Sequence, residues 1–186
     1  MTRLMIVVGS VRPVRKGLAI AEWVRDAAIA DGRFDVDFVD LQELALPFMD
    51  EPQHPAKRQY TKPHTIAWSE RVEAADAFIF VTPEYNWSYS PALKNAMDYL
   101  SGEWNRKPLA VVSYGGISAG TRAFVAMLPT VTMLGMVVAK VQLHISLLSA
   151  PFGADGAFVP DAFQATGVAA QLDDLLALAV ALKPLR

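Results

Sequence analysis

Short runs of uninterrupted apolar residues return at intervals along the chain. Residues 4–8, 77–81 and 109–112 read LMIVV, AFIFV and LAVV. Strands that are buried on both faces of a parallel sheet have this composition. Residues 34–39 and 138–145 instead alternate apolar and polar side chains, which is typical of a strand with one wetter face at a sheet edge. The pattern therefore predicts three central strands and two peripheral ones.

Helical patterns fill the intervals between these strands. Apolar residues recur with helical spacing over residues 17–31, 63–75, 91–101, 120–134 and 168–182. Ser90 is predicted to cap the third of these helices, with Pro91 at its first position. Strict alternation of strands and helices predicts a parallel sheet with right-handed crossovers. The expected fold is α/β: a doubly wound, five-stranded parallel sheet in the order 2-1-3-4-5, with helices on both faces.

The composition is that of a folded chain with a core of its own. The 186 residues are enough for one sizeable domain, and we expect a single domain over residues 1–186. Apolar residues make up 53% of the chain and charged residues 19%, which argues against disorder. Residues 42–62 form a long connection with three prolines and are predicted to be partly mobile.

Charge and residue usage exclude several classes of protein. A net charge of −2 gives no indication of a nucleic acid or an anionic membrane as partner. The absence of cysteine excludes disulfides, thiol nucleophiles and iron–sulfur ligation. The three histidines are scattered, so no metal site is expected. The N-terminal apolar run is far shorter than the ~20 residues of a membrane span. We interpret it as a strand and expect a soluble cytoplasmic protein.

The predicted strand order brings three loops together. In an open parallel sheet, ligands bind beyond the carboxyl ends of the strands, where the strand order reverses. Here that point lies between the first and third strands. Residues 9–17, 83–90 and 114–120 follow the first, third and fourth strands, which are neighbours in the predicted order. These loops should therefore meet in one crevice.

The first of these loops is basic and leads into a helix. Ser10, Arg12, Arg15 and Lys16 precede a helix start near Gly17. The free N–H groups and the dipole of a helix N-terminus attract anions, and arginine adds charge-assisted hydrogen bonds to phosphate. The loop is predicted to bind a phosphate monoester. The alternative is a solvated basic turn.

The second loop is unusually aromatic. Three aromatic residues, Tyr85, Trp87 and Tyr89, occur in a stretch of five residues that is predicted to be a turn. Residues of connecting loops are usually small and polar. These rings would suit a flat ligand that they cover. They would equally suit packing under residues 42–62 or a subunit interface.

The third loop allows two interpretations. Gly115 and Gly116 would let the backbone approach a planar ligand closely, or they form an ordinary glycine turn. The loop continues as GISAG, which matches the G-x-S-x-G nucleophile elbow of serine hydrolases around Ser118. Such an enzyme needs an acid and then a histidine after the serine. His144 is the only histidine that follows, and no Asp or Glu lies between Ser118 and His144. The hydrolase alternative therefore lacks its acid.

Three stretches together resemble one protein family. GSVRPVRKG after the first strand, PEYNWSYSPALKNAMDYL after the third and SYGGISAGTRA after the fourth resemble the NADPH-dependent FMN reductases. That family has a flavodoxin-like fold and includes flavin, quinone, azo-dye and chromate reductases. The resemblance extends over nearly the whole chain. Many members have a serine and an asparagine where this chain has residues 16–18, so its phosphate contacts are expected to depend more on backbone and arginine.

The resemblance implies a set of cofactor-binding residues. It implies that the FMN phosphate is held by Ser10, Arg12, Arg15, Gly17 and Leu18. It implies that the isoalloxazine and ribityl groups are lined by Pro83, Glu84, Tyr85 and Asn86. It implies that the polar edge of the ring is contacted by Ser113, Gly115 and Gly116. No catalytic side chain and no metal are implied, because the flavin carries the redox chemistry.

The same resemblance implies an activity and an assembly. The expected activity is hydride transfer from NADPH or NADH through bound FMN to a small-molecule acceptor such as a flavin, a quinone or an azo compound, with ping-pong kinetics. A homodimer or homotetramer is expected, and we hypothesise that Asp98, Tyr99 and Trp104 lie near a neighbouring subunit's cofactor. Two alternatives remain: a non-enzymatic electron carrier and a flavin-binding interaction protein.

Overall fold

The computed structural model describes residues 1–149 and 152–186. The strands are β1 (Thr2–Val8), β2 (Phe34–Asp40), β3 (Ala77–Pro83), β4 (Pro108–Gly115), β5 (Val137–Val138) and β6 (Leu143–Ser146). The α-helices are α1 (Gly17–Asp31), α2 (Leu41–Leu44), α3 (Pro63–Ala74), α4 (Pro91–Asp98), α5 (Thr121–Met133) and α6 (Ala162–Leu182). Short 3₁₀ turns cover Pro55–Lys57, Gly102–Trp104 and Lys183–Leu185.

The sheet has the predicted order. Its strands lie in the order β2-β1-β3-β4-β5, and each of these pairs is parallel. All residues of β3 and β4 are buried, whereas β2 at the edge is buried only at its two ends and is partly or fully accessible over residues 35–38. The doubly wound flavodoxin-like fold is thus confirmed, with the three apolar runs at the centre of the sheet.

The fifth position of the sheet differs from the prediction. We expected one strand over residues 138–145, but β5 and β6 are two short strands that both pair with β4. Side chains fill the break between them. The backbone N–H of Val111 donates to the Gln142 side chain at 2.6 Å, and its carbonyl accepts a hydrogen bond from Gln171 at 3.0 Å. The side-chain amides of Gln142 and Gln171 therefore make the hydrogen bonds that a neighbouring strand would otherwise make with the backbone of β4 at the break.

Helices cover both faces of the sheet. On one face, Ile20 of α1 and Leu172 of α6 belong to the same buried cluster. On the other face, Trp68 of α3, Met97 of α4 and Met127 of α5 form a second cluster. Burying such side chains stabilises a fold by roughly 1.5–3 kcal/mol each. The core is thus two apolar layers with the sheet between them.

The C-terminal helix is unusually apolar. Residues Ala162–Leu185 form a 24-residue stretch that is long and apolar enough, by composition alone, to cross a membrane. The helix packs against the sheet through Val168, Leu172 and Leu175. Only 28% of its most apolar window is buried within this chain, so packing against the sheet accounts for one face of the helix.

Ser90 links the first and second predicted ligand loops. It caps α4 as predicted, because its Oγ accepts a hydrogen bond from the N–H of Leu93 at 3.1 Å, and Pro91 occupies the first position of the helix. The same hydroxyl donates to the carbonyl of Gly9. The start of α4 therefore holds the end of β1 in place.

The connection over residues 42–62 is tied to the rest of the domain. Glu51 accepts hydrogen bonds from the N–H groups of Thr61 and Lys62, each at 2.9 Å. The hydroxyl of Tyr60 donates to the buried carboxylate of Glu103 at 2.8 Å. Hydrogen bonds to Glu103 outweigh the effect of its burial and lower its pKa. These contacts hold the segment that we predicted to be partly mobile.

Candidate functional site

The loops after β1, β3 and β4 converge on one cavity, as the strand order predicts. The cavity has a volume of about 230 Å³. It is lined by Ser10, Arg12, Val14, Arg15, Lys16, Pro83, Glu84, Tyr85, Tyr114, Gly115, Gly116 and Leu147. This volume is below the ~300–1,000 Å³ of sites that enclose a drug-sized ligand. The cavity can therefore enclose only part of a nucleotide-sized molecule, whose remainder would lie at the surface.

The basic part of the cavity holds charged donors without acceptors. Arg15 forms an ion pair through Nη2 with Asp40 at the end of β2, and the two side chains are only 7% and 4% exposed. Its Nε and Nη1 atoms are buried and have no hydrogen-bond partner among the described residues. Because buried polar groups are nearly always paired, these atoms indicate a place for an anionic ligand.

The start of α1 adds to this basic region. The residue before the helix, Lys16, provides no side-chain cap, so the first N–H groups of α1 are not occupied by one. Ser10 is buried, and its Oγ lies 2.9 Å from the hydroxyl of Tyr85. The N-terminus of α1 and the side chains beside it form an environment that favours a negative charge.

The three aromatic residues of the second loop have different environments. Tyr85 lines the cavity. Tyr89 is buried beneath α5, and its hydroxyl lies 3.0 Å from that of Thr130. Trp87 is 71% exposed, and the guanidinium of Arg122 lies 4.6 Å from its ring centroid. Only Tyr85 is placed to contact a ligand inside the cavity.

A tight hairpin explains the shape of this loop. The backbones of Tyr85 and Ser88 exchange hydrogen bonds of 2.8 and 2.9 Å. The two residues between them, Asn86 and Trp87, have positive φ angles of 47° and 68°, as a two-residue type I′ turn requires. Asn86 adopts such angles more readily than most residues. It is exposed and does not line the cavity.

Glu84 faces α5. Its carboxylate accepts hydrogen bonds from the Ser118 hydroxyl at 2.6 Å and from Arg122 Nε at 2.6 Å. It also accepts the backbone N–H of Arg122 at 3.2 Å. Burial opposes its ionisation, but these hydrogen bonds outweigh that effect and lower its pKa. Glu84 therefore joins the second loop to the third.

Ser113 and His144 form a separate buried pair. Ser113 is fully buried, does not line the cavity, and its Oγ lies 2.7 Å from His144 Nδ1. Burial lowers the pKa of His144, which favours the neutral ring. Ser118 donates to Glu84, so the serine and the histidine of the hydrolase alternative have other partners. The structure does not assemble that nucleophile and its base.

Most of the predicted site residues lie on the cavity wall. Those that line it are Ser10, Arg12, Arg15, Pro83, Glu84, Tyr85, Gly115 and Gly116. Those that do not are Gly17, Leu18, Asn86 and Ser113. Among the residues that we missed is Tyr114. The signal for it was its place directly before the glycine pair, at the carboxyl end of a predicted central strand.

The described residues contain no group of three or more His, Cys, Asp or Glu side chains arranged for a metal ion.

Of the three residues that we expected near a neighbouring subunit's cofactor, two do not reach the surface of this chain. Tyr99 and Trp104 are buried inside this chain. The Trp104 ring packs against Phe78 at a centroid distance of 5.1 Å. Asp98 alone is accessible, and it pairs with Lys94 at 2.5 Å. The short 3₁₀ turn folds Trp104 inward, which the sequence did not indicate.

Comparison with known proteins supports one family. The family model for NADPH-dependent FMN reductases matches residues 2–147. The chain is 33% identical over 187 residues to an NAD(P)H-dependent FMN reductase from Nectria sp., and the alignment covers 95% of this chain and 92% of that protein. It is 44% identical over 120 residues to an NAD(P)H-dependent FMN reductase from Schizosaccharomyces pombe, covering 63% of this chain and 60% of the relative.

Solved structures support the same fold. The flavoenzyme NAD(P)H:(acceptor) oxidoreductase FerB from Paracoccus denitrificans matches 95% of this chain and 98% of its own, with a TM-score of 0.76 and 22% sequence identity. Structural similarity at 22% sequence identity supports the fold and not a function. The sequence matches go further: on the strength of the family model and the Nectria relative, the chain belongs to the NADPH-dependent FMN reductase family.

Proposed function

We propose that this protein transfers electrons from NADPH or NADH to a small-molecule acceptor, with FMN as its bound cofactor. When bound, FMN supplies the two-electron redox chemistry that no side chain of the cavity provides. The observation that supports this most strongly is the pair of buried, unpartnered nitrogen atoms of Arg15 in a cavity built by three loops. Family membership points to the same cofactor.

The basic part of the cavity is the proposed phosphate site. Arg15 would donate through Nε and Nη1, while Asp40 holds the guanidinium in place. Charge-assisted hydrogen bonds of this kind are roughly twice as strong as neutral ones. The N–H groups of Gly17 and Leu18, in the first turn of α1, would contribute through the backbone. Arg12 and Ser10 line the same region.

The remaining wall of the cavity is the proposed site of the ribityl chain and the ring. Pro83, Tyr85 and the glycine pair line it. A Cβ added at Gly115 would lie 3.1 Å from the N atom of Gly120, so a side chain there would be tight against the third loop. A Cβ at Gly116 would meet nothing within 4 Å, so this glycine faces open space. The open side would leave one face of a flat cofactor accessible to both substrates in turn, which suits ping-pong kinetics.

Glu84, Asn86 and Ser113 are proposed to act through the loops that they shape. Glu84 joins the second and third loops. Asn86 allows the hairpin that presents Tyr85, and Ser113 fixes the end of β4 through His144. The acceptor class remains a flavin, a quinone, an azo compound or a similar flat molecule. The exposed ring of Trp87 beside Arg122 would suit such an acceptor.

The assembly and the localisation are further proposals. The family resemblance implies a homo-oligomer, and the chain has exposed apolar side chains that a subunit contact could cover, such as Phe48 and Ile117, which are 86% and 93% exposed. We therefore retain the homodimer or homotetramer. Gel filtration of the active protein should give a mass well above the 20.3 kDa of one chain, and a fully active monomer would contradict the proposal. The cytoplasmic localisation remains a prediction.

A spectrum and a turnover assay test the proposed function together. The purified protein mixed with FMN should show bound oxidised flavin, which NADPH or NADH bleaches under anaerobic conditions and a quinone restores. Replacing Arg15 by methionine should weaken FMN binding. Replacing Arg25 by methionine should not, because Arg25 pairs with exposed Asp26 and does not line the cavity. Bound FMN without oxidation of NAD(P)H would indicate an electron carrier instead. No FMN binding at all would overturn the proposal.

A further inference from the structure

Tyr114 reaches from the end of β4 to the first residue of α1. A Cβ added at Gly17 would lie 2.7 Å from Tyr114 Cζ and closer still to its hydroxyl oxygen. The phenol therefore occupies the space that a side chain at position 17 would take. At this point of the cavity the wall is therefore formed by a tyrosine of β4 and not by a side chain at the start of α1.

The hydroxyl of Tyr114 makes no hydrogen bond of normal geometry with the residues that the structure describes. The residue is 4% exposed, and its oxygen is buried without a hydrogen bond to the described part of the chain. Ser10 is close enough for a weak hydrogen-bonding interaction that lowers the pKa of the phenol, but the two hydroxyls do not reach normal hydrogen-bond geometry. The Ser10 hydroxyl instead lies 2.9 Å from that of Tyr85. A buried hydroxyl without a partner is unfavourable, so the arrangement calls for an acceptor from outside the chain.

The surroundings of this hydroxyl select an anion. Arg12 and Arg15 both act on Tyr114 electrostatically, and the unpartnered Nε and Nη1 of Arg15 belong to the same cavity. Burial raises the pKa of Tyr114 well above its usual range, so the phenol remains protonated and can donate at neutral pH. Donors thus outnumber acceptors here.

The position of the hydroxyl decides which part of FMN it would meet. Gly17 begins α1, whose N-terminus attracts anions, whereas Gly116, two residues after Tyr114, faces the open side of the cavity. The hydroxyl lies at the α1 end. We propose that Tyr114 donates a hydrogen bond to the phosphate of FMN and acts as a phosphate-binding residue. This inference rests on the proposed function, because it names a further contact of the same cofactor.

Replacing Tyr114 by phenylalanine tests the inference, since the ring and its packing are retained. Dissociation constants of FMN and of riboflavin, which lacks the phosphate, should be measured by fluorescence titration of the apoprotein. The variant should bind FMN about tenfold or more weakly, as expected for the loss of a hydrogen bond to a charged group. Its affinity for riboflavin should stay within about twofold. Inorganic phosphate should also raise the melting temperature of the variant apoprotein less than that of the wild type.

A second tyrosine provides the matched control. Tyr89 is bonded to Thr130 and does not line the cavity, so Tyr89→Phe should leave both dissociation constants unchanged. Equal weakening of FMN and riboflavin in Tyr114→Phe, or no weakening of either, would overturn the inference and leave the proposed function standing. A wild-type protein that binds no FMN would overturn both.

Discussion

At the scale of single residues, Glu84 carries the contact between two of the three ligand loops. It accepts hydrogen bonds from Ser118 and from the side chain and backbone of Arg122. The carboxylate is almost fully buried, whereas the guanidinium of Arg122 is 38% exposed and stacks on Trp87. One buried charge thus positions the start of α5 and the exposed indole beside the cavity.

Replacing Glu84 by glutamine should lower the free energy of unfolding by about 1–2 kcal/mol at pH 7. The amide keeps the shape and loses the charge, and the partial exposure of Arg122 limits the effect. The pKa of Glu84 is lowered in the folded state from its ordinary 4.5. Its stabilisation is therefore present above pH 4.5 and is lost as pH falls through the folded pKa. Urea unfolding at pH 7 and at progressively lower pH measures both effects.

The pH dependence separates this charge from an exposed one. The wild type and Glu84→Gln should approach each other in stability at low pH. Glu73→Gln is the control, because Glu73 is half-exposed and, among the described residues, its ion pair is with exposed Arg58. It should change stability by less than about 1 kcal/mol. A constant gap between Glu84→Gln and the wild type over the whole acid range would show that the charge of Glu84 stabilises nothing.

At the scale of elements, the break between β5 and β6 shows where sequence patterns stop being informative. Apolar and polar side chains alternate through residues 138–145 without interruption, so the pattern does not reveal the break. Gln142 fits the pattern as a polar residue, but it accepts the hydrogen bond from β4 with its side chain and not with its backbone. Gln171 lies on α6, 60 residues from Val111, and donates to it. The strand order follows from local patterns, but a side chain that replaces a strand from another element leaves no local signal.

The same limit applies to the cavity. The convergence of the loops was predictable from the strand order alone. The side chains that enter the cavity could not be predicted, because successive residues at the end of β4 point to opposite faces of the sheet and the sequence does not show which face meets the cavity. Ser113 faces His144, whereas Tyr114, one residue later, faces α1. Tyr89 looks like a ligand-binding aromatic by its loop, yet α5 covers it.

Replacing Gln171 by leucine should destabilise the protein by about 1–3 kcal/mol. The leucine leaves the carbonyls of Val111 and Val141 without the donor that Gln171 provides at 3.0 and 3.2 Å, and a buried acceptor without a partner is costly. Asp173→Asn is the control. Asp173 lies two residues further along α6 on its exposed face, and the change should have little effect because its ion pair with Arg33 is exposed. Guanidinium unfolding compares the two. Equal stability of Gln171→Leu and the wild type would mean that the break needs no amide.

At the scale of the whole molecule, the two ends of the sheet have different tasks. Among the described residues, buried donors without partners lie at the carboxyl ends of the strands, at Arg15 and Tyr114, and one, Arg3 Nε, lies at the opposite end. At the opposite end, polar groups are joined between elements: Asp76, before β3, accepts the N–H of Arg3 at 3.1 Å and pairs with Arg186 at 3.0 Å. The proposed cofactor site and these contacts between elements thus lie at opposite ends of the sheet, as open parallel sheets allow.

Lys107 belongs to the stabilising end and gives it a pH dependence. Its side-chain amine lies beside the last turn of α3 and donates to the carbonyls of Val72 and Glu73 at 2.8 and 2.9 Å. The residue is 5% exposed. Burial, the largest effect, disfavours its charged form and lowers its pKa from 10.5 to about 8. The neutral amine can still donate, so both hydrogen bonds survive deprotonation.

The stability of the wild type should therefore rise by about 1–2 kcal/mol between pH 8 and pH 9.5. Over this range the unfolded chain keeps its proton on Lys107 while the folded chain releases it, and stability rises with pH wherever the unfolded state binds more protons. Lys107→Met should lose this rise and be less stable at pH 9.5, because Val72 and Glu73 lose their donor. Lys57→Met, at an exposed position, should keep the wild-type slope. Urea unfolding across this range decides the matter, because parallel profiles for the wild type and Lys107→Met would mean that the buried amine keeps its proton.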